Sequence, residues 1–200
     1  MLKVGLTGGL ACGKSYVGGL LASYGCLVIE ADELGHAVLA PGGEAFDAVI
    51  REFGEELLVN GLIDRQLLAG RVFDDPPGLA RLNALVHPAV IAREERMIAE
   101  FAAHHEHGIA VVEAAILIET ASYQRFDRII LVICSEQQQV ERALRRDTLT
   151  EAAVRARLNR QMPLAEKQRF ADFVIDTSGT KEETMRQTRT VYEELRRIEK

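Results

Sequence analysis

Five short apolar runs punctuate the chain: Leu2–Leu6, Cys26–Ile29, Ile109–Val112, Arg128–Cys134 and Phe173–Ile175. Each is rich in Val, Ile or Leu and lacks the polar alternation of a strand with one wet face, which predicts buried strands. Segments with apolar residues at helical spacing separate them. That alternation predicts an α/β fold, a five-stranded parallel sheet flanked by helices on both faces. Active sites of such sheets lie beyond the carboxyl ends of the strands.

The second and third runs stand about eighty residues apart, roughly Asp32 to Gly108, which is too long for one simple crossover. Helical patches fall at Glu44–Phe53, Arg65–Val72 and Ala89–Ala103. Turn signals break the segment at Pro41-Gly42-Gly43, Asn60-Gly61 and Asp75-Pro76-Pro77-Gly78. The pattern predicts a helical insertion able to wall one side of a substrate cleft. A second excursion runs from Ser135 to about Phe170. Ser135 with Gln138 forms a capping box, and Thr150 can cap a second helix. A last helix starts at Thr180 with Glu183 as its box partner, and Met185, Tyr192, Leu195 and Ile198 read as its core-packing stripe.

Composition narrows the class. With 200 residues, 48% of them hydrophobic, the chain can bury a substantial core. A net charge of −6 argues against a general nucleic-acid or anionic-membrane binder. The charge is uneven, however: Glu141–Arg169 carries +4, leaving −10 on the rest, so a local anion site is available. No apolar stretch reaches the roughly 18 residues of a membrane span, and no basic segment followed by a long apolar one opens the chain as a secretory signal would. Cys12, Cys26 and Cys134 are odd in number and widely spaced, which predicts a reducing, cytoplasmic setting without a disulfide framework. Cys26 and Cys134 read as small buried apolar residues.

The candidate chemistry begins in G-L-T-G-G-L-A-C-G-K-S-Y, residues 5–16. Gly8, Gly13, Lys14 and Ser15 fit the phosphate-loop spacing G-x-x-x-x-G-K-[ST], with an apolar strand before and a helical pattern after. Glycines permit positive φ and close backbone approach, turning N–H groups into a concave anion site at a helix N-terminus. Lys14 would reach the β- and γ-phosphates of ATP, and the Ser15 hydroxyl would ligate Mg²⁺. Tyr16 occupies the next helical position, and Gly18 and Gly19 weaken that helix. Cys12 inside the loop is either an inert residue or a thiol whose pKa is lowered by the loop's field.

The loop alone does not choose a reaction. Asp32-Glu33-Leu34-Gly35 matches the short D-x-x-G pattern of GTPases, but no Asn precedes Lys to give a guanine-reading N-K-x-D. A small chain with two excursions fits a small-molecule kinase better. A nucleoside monophosphate kinase and a non-catalytic ATP-binding regulator stay open. Asp32, just past the second strand, is either a general base or a helix-start carboxylate stabilised by the dipole. The run His104-His105-Glu106-His107 invites a metal reading but sits in a surface turn, and His87 is a candidate lining residue of the insertion.

At this point a resemblance enters. The loop, then V-I-E-A-D (28–32), A-P-G-G (40–43), G-L-I-D-R-Q-L-L (61–68), L-N-A-L-V-H-P (82–88), E-A-A-I-L-I-E (113–119), R-R-D (145–147) and A-D-F-V-I-D-T-S-G (171–179) together resemble the dephospho-coenzyme A kinases along nearly the whole chain. The resemblance implies a P-loop NTPase fold with a nucleotide-binding core (1–31, 108–134, 171–200), a helical acceptor insertion (32–107) and a helical lid (135–170). It implies transfer of the γ-phosphoryl of ATP to the ribose 3′-hydroxyl of dephospho-coenzyme A, the last step of coenzyme A synthesis. Asp32 matches the family's catalytic carboxylate. Gly8, Gly9 and Ala11, Cys12, Gly13, Lys14, Ser15 and Tyr16 match its ATP loop, and Arg142 and Arg146 match lid arginines acting with Lys14 on the phosphates. Ser15 and Glu113 would serve Mg²⁺. The expected partner is the small-molecule acceptor, with no nucleic acid or membrane, for a monomer or weak homo-oligomer. Five positions in three motifs depart from the family: Glu30 and Glu113 stand where Asp is usual, Ala11-Cys12 replaces Gly-Ser, and Ala115 replaces a proline, which should loosen one turn.

Overall fold

In the computed structural model, which describes residues 1–146 and 150–199, the chain runs β1 (Leu2–Gly8), α1 (Lys14–Ser23), β2 (Leu27–Glu30), α2 (Ala31–Val38), α3 (Phe46–Phe53), β3 (Leu58–Val59), β4 (Leu62–Ile63), α4 (Arg65–Val72), α5 (Pro76–Ala102), β5 (Ile109–Glu113), β6 (Arg128–Ile133), α6 (Glu136–Arg146), α7 (Glu151–Leu158), α8 (Leu164–Lys167), β7 (Phe173–Asp176) and α9 (Lys181–Glu199). Five strands form one parallel sheet in the order β2-β5-β1-β6-β7. They coincide with the five predicted runs to within two residues.

The chain folds as two compact units, residues 1–30 with 100–200 and residues 31–99. In the first, Val4 and Leu6 of β1, Val111 of β5 and Ile130 and Val132 of β6 are buried with Val17 and Leu21 of α1 and Val191 and Leu195 of α9. Continuous Val, Ile and Leu is what a sheet covered on both faces requires. The expected stripe of α9 needs correction: Met185 and Ile198 are 45% and 41% exposed. The buried face instead runs Thr184, Thr188, Val191, Leu195. The two threonines tolerate burial because each hydroxyl donates to a carbonyl one turn back, Thr184 to Thr180 at 3.1 Å and Thr188 to Thr184 at 2.8 Å.

The second unit has its own core of Val38, Val49, Phe53, Leu57, Ile63, Leu68 and Val72. Asn60 and Gly61, at φ 53° and 79°, make the two-residue turn that pairs β3 with β4, a small antiparallel hairpin beyond the predicted helical patches. Asp64 caps α4 by accepting from the amides of Gln66 and Leu67. Pro76 and Pro77, read as a turn, instead open the 27-residue α5. Proline is favoured at a helix start because its missing N–H would be unpaired there anyway.

Candidate active site

The loop from β1 to α1 is shaped by backbone constraints. Any side chain at Gly8 would collide with the carbonyl of Val132, and one at Gly9 would crowd the Gln139 amide. Ala11 and Gly13 are both left-handed, at φ 54° and 84°, on either side of Cys12. Such a turn directs successive N–H groups to one side and makes a nest for an anion. Gly13 caps α1 without any side-chain bond of its own to the first-turn amides, and the positive end of a helix favours an anion. The Lys14 ammonium folds back on the loop and donates to the Gly9 carbonyl at 3.3 Å. Leu10 N–H donates to the Gln161 side chain at 3.0 Å, which ties the loop to the segment after α7.

Directly beside Lys14, the Ser15 hydroxyl donates to Glu113 Oε1 at 2.9 Å. Glu113 ends β5, in register with Leu6 of β1 and Glu30 of β2, and is buried. The serine proton points at the carboxylate, so its oxygen lone pairs remain available. Two adjacent oxygen donors of this kind suit a hard divalent cation such as Mg²⁺. The pair also explains one of the helix glycines: a Cβ on Gly18 would press on Glu113 Oε2 at 3.0 Å, whereas Gly19 faces open space. The looser turn expected at Ala115 is held otherwise. Its carbonyl accepts from the Thr7 hydroxyl at 3.3 Å and the Lys167 ammonium at 2.9 Å.

Arg142, on α6, is half-buried and bonded to one residue past β7. Its guanidinium donates to Thr177 Oγ1 at 3.0 Å and to the Thr177 carbonyl at 2.7 Å. Thr177 Oγ1 in turn lies 2.7 Å from the Cys12 carbonyl, and its hydroxyl donates there. Arg142 is therefore linked to the phosphate loop through a single threonine. Arg146, the last residue of α6, is exposed, and Arg145 pairs with Glu141 on the solvent face. Asp147 of the R-R-D match lies outside the described residues. Tyr16 is 38% exposed, with the Lys181 ammonium 5.7 Å from its ring centroid.

Cys12 does not have the lowered thiol pKa that the loop's field suggested. It is fully buried with its sulfur 3.2 Å from Cys134. The Cys134 hydrogen bond and burial push the Cys12 thiol up, and the opposing pull of Lys14 is smaller. The Cys134 thiol is pushed down, by its bond with Cys12 first and the Arg142 charge as well.

Sequence reasoning missed two residues outright. Thr177 lay inside a quoted match, but nothing local marks it as a bridge. Lys167 reads as an ordinary polar position near a helix end, yet its side chain is 0% exposed and pairs with Glu119 at 2.8 Å. Glu119 also accepts from Met162 N–H at 3.0 Å, so the segment after α7 is held to the loop that follows β5.

Asp32 occupies the first turn of α2, exposed, two residues beyond β2. That position suits a carboxylate near the helix dipole's positive end. His105 stacks on Phe101 at 4.0 Å and bonds its carbonyl, while His107 pairs with Glu199. Among the described residues, no three His, Cys, Asp or Glu side chains converge as a metal cluster. His87 is half-buried, and that burial lowers its pKa.

Against known proteins, the dephospho-CoA kinase family profile matches residues 2–183. A dephospho-CoA kinase of Thermobifida fusca is 41% identical over 198 residues, 98% of each chain. One from Geobacillus kaustophilus is 39% identical, over 100% of this chain and 99% of its own. A crystal structure from Thermus thermophilus is similar at TM-score 0.83 and 32% identity, over 97% of each chain.

Proposed function

The chain belongs to the dephospho-CoA kinase family, and on that premise we propose how its own residues carry the reaction. The enzyme transfers the γ-phosphoryl of ATP to the ribose 3′-hydroxyl of dephospho-coenzyme A, giving coenzyme A and ADP. In this reading the loop amides from Gly8 to Gly13, the head of α1 and Lys14 grip the β- and γ-phosphates. Ser15 and Glu113 would hold Mg²⁺, whose charge screens the phosphates when it is bound. Arg142 and Arg146 neutralise charge that spreads over the transferring phosphoryl group. Asp32 accepts or orients the proton of the attacking hydroxyl, sharpening its lone pair toward phosphorus. Residues 32–107 serve as the acceptor-binding insertion and 135–170 as a lid that excludes water and limits wasteful hydrolysis of ATP. Three free, buried cysteines support a cytoplasmic setting, where the enzyme acts as a monomer or weak homo-oligomer.

The observation that carries this reading is the Ser15–Glu113 bond at the head of α1, beneath a loop with two left-handed residues. It brings together a hydroxyl, a carboxylate, an ammonium and a helix N-terminus, the groups that phosphoryl transfer requires. The decisive experiment follows coenzyme A formation by mass from ATP·Mg²⁺ and dephospho-coenzyme A. Asp32→Asn, with its fold verified by circular dichroism, lowers turnover by roughly 10²- to 10⁴-fold in that assay. Turnover equal to wild type at saturating substrates would remove Asp32 from the chemistry.

A further inference from the structure

Two of the three cysteines, 122 residues apart in sequence, bring their sulfurs to 3.2 Å. Both are free thiols and both are buried. One stands inside the phosphate loop, and the other follows β6 directly. We propose that Cys12 and Cys134 are a modification site: a peroxide oxidises the pair to a disulfide that fastens the phosphate loop to the end of β6 and suppresses phosphoryl transfer.

The geometry is close to that of the product. A disulfide bond is about 2.05 Å long, so the sulfurs need to approach by only about 1.2 Å. Cys134 is 7% exposed and lines a cavity of about 560 Å³ with Gly9, Gln139, Leu158 and Met162, large enough to admit hydrogen peroxide. The hydrogen bond with Cys12 and the nearby Arg142 charge favour ionisation at Cys134, which also lines the cavity, so this sulfur is the attacking one. Its thiolate displaces hydroxide from hydrogen peroxide, breaking the O–O bond and giving a sulfenic acid. The Cys12 sulfur then attacks the sulfenic sulfur. The S–S bond forms, the S–O bond breaks, and the Cys12 proton leaves with the oxygen as water. Two thiols lose two electrons and two protons in total, and one peroxide becomes two waters. A dithiol reductant reverses the step by exchange. Cys26 is an internal control, since it lines a different cavity with Phe101 and His105 and burial pushes its thiol up to about 12.

The consequence for the loop follows from what holds Cys12 in place. Its N–H donates to the Gly9 carbonyl at 3.3 Å, and its carbonyl accepts from Thr177 at 2.7 Å. Drawing its side chain toward β6 strains both bonds, and through Thr177 it displaces Arg142. A misplacement of about 1 Å in such a site costs on the order of 100-fold in rate. The disulfide itself rests on the sulfur geometry alone, while its effect on turnover rests on reading the loop as the ATP site.

The test uses the full chain, reduced, desalted and then treated with hydrogen peroxide. Remaining thiols are alkylated before intact-mass and peptide analysis without reductant. We expect loss of two hydrogens, a linked Cys12–Cys134 peptide, an alkylated Cys26, and a fall in turnover on the order of 100-fold that dithiothreitol restores. Cys134→Ser should keep the basal rate and resist peroxide. Equal alkylation of all three cysteines after peroxide, or sulfur carrying two added oxygens in place of the link, overturns the site. A complete link with unchanged turnover overturns its coupling to the loop. If the reduced protein makes no coenzyme A, the ATP-site reading fails, and the peptide analysis of the wild-type chain still decides the disulfide.

Discussion

The two ends of the parallel sheet carry similar residue types and use them in opposite ways. At the amino end, Asp127 and Asp172 each close on one strand residue. Lys3 N–H donates to the Asp127 carboxylate at 2.8 Å while Asp127 N–H donates to the Lys3 carbonyl at 2.8 Å. Ile129 and Asp172 repeat the arrangement at 2.7 Å and 2.9 Å. These carboxylates finish the hydrogen bonding of β1 and β6, and Asp172 also lies 3.8 Å from the Arg128 guanidinium. At the carboxyl end, Glu113 meets a hydroxyl that keeps its lone pairs, and Lys14 rests on a loop carbonyl. The contrast teaches that charge does not mark a site. What marks a candidate site is charge placed at a helix N-terminus beside a loop with left-handed residues.

The contrast can be tested from its strongest side to its weakest. Lys14→Met should lower kcat/KM by on the order of 10³-fold with the urea midpoint unchanged, since it removes a cation from the developing phosphate charge. Steady-state kinetics beside chemical denaturation reads both quantities. Lys167→Met should cost about 3 kcal/mol of stability, because it strands Glu119 next to a buried methylene chain. Adding Glu119→Leu should recover most of that loss; a double variant as weak as the single one would refute the pair as its cause. Asp172→Ala should cost about 1 kcal/mol, a charge-assisted bond discounted for a side chain 40% exposed, and leave turnover alone. Should its turnover fall as far as that of Lys14→Met, the distinction between the two ends collapses.

How much of this was legible depended on the range of the physics. The strands were legible because burial on both faces writes Val, Ile and Leu into adjacent positions. The loop was legible because its glycines, Lys14 and Ser15 act within a few residues of one another. The strand order was not, since nothing in a run of apolar residues says that β1 lies between β5 and β6. The Arg142–Thr177–Cys12 chain and the buried Lys167 were equally silent: each is a pairing between distant segments, and a lone Thr or Lys looks the same whether buried or solvated. Gly18 is an intermediate case. Its position inside a helix read only as a weakening of α1, and the structure shows that a Cβ there would press on Glu113.

The central place of β1 has a bearing on how the protein is made. Both strands that flank it come later in the chain, β5 at Ile109 and β6 at Arg128. During synthesis its two edges stay unpaired until more than half of the polypeptide has emerged, and such late, long-range pairing is slow and exposes sticky edges. The proposed nucleotide grip at the end of β1 therefore has no complete sheet to rest on in a nascent fragment, and a truncated product ending before Arg128 would be an aggregation hazard and not a partial enzyme.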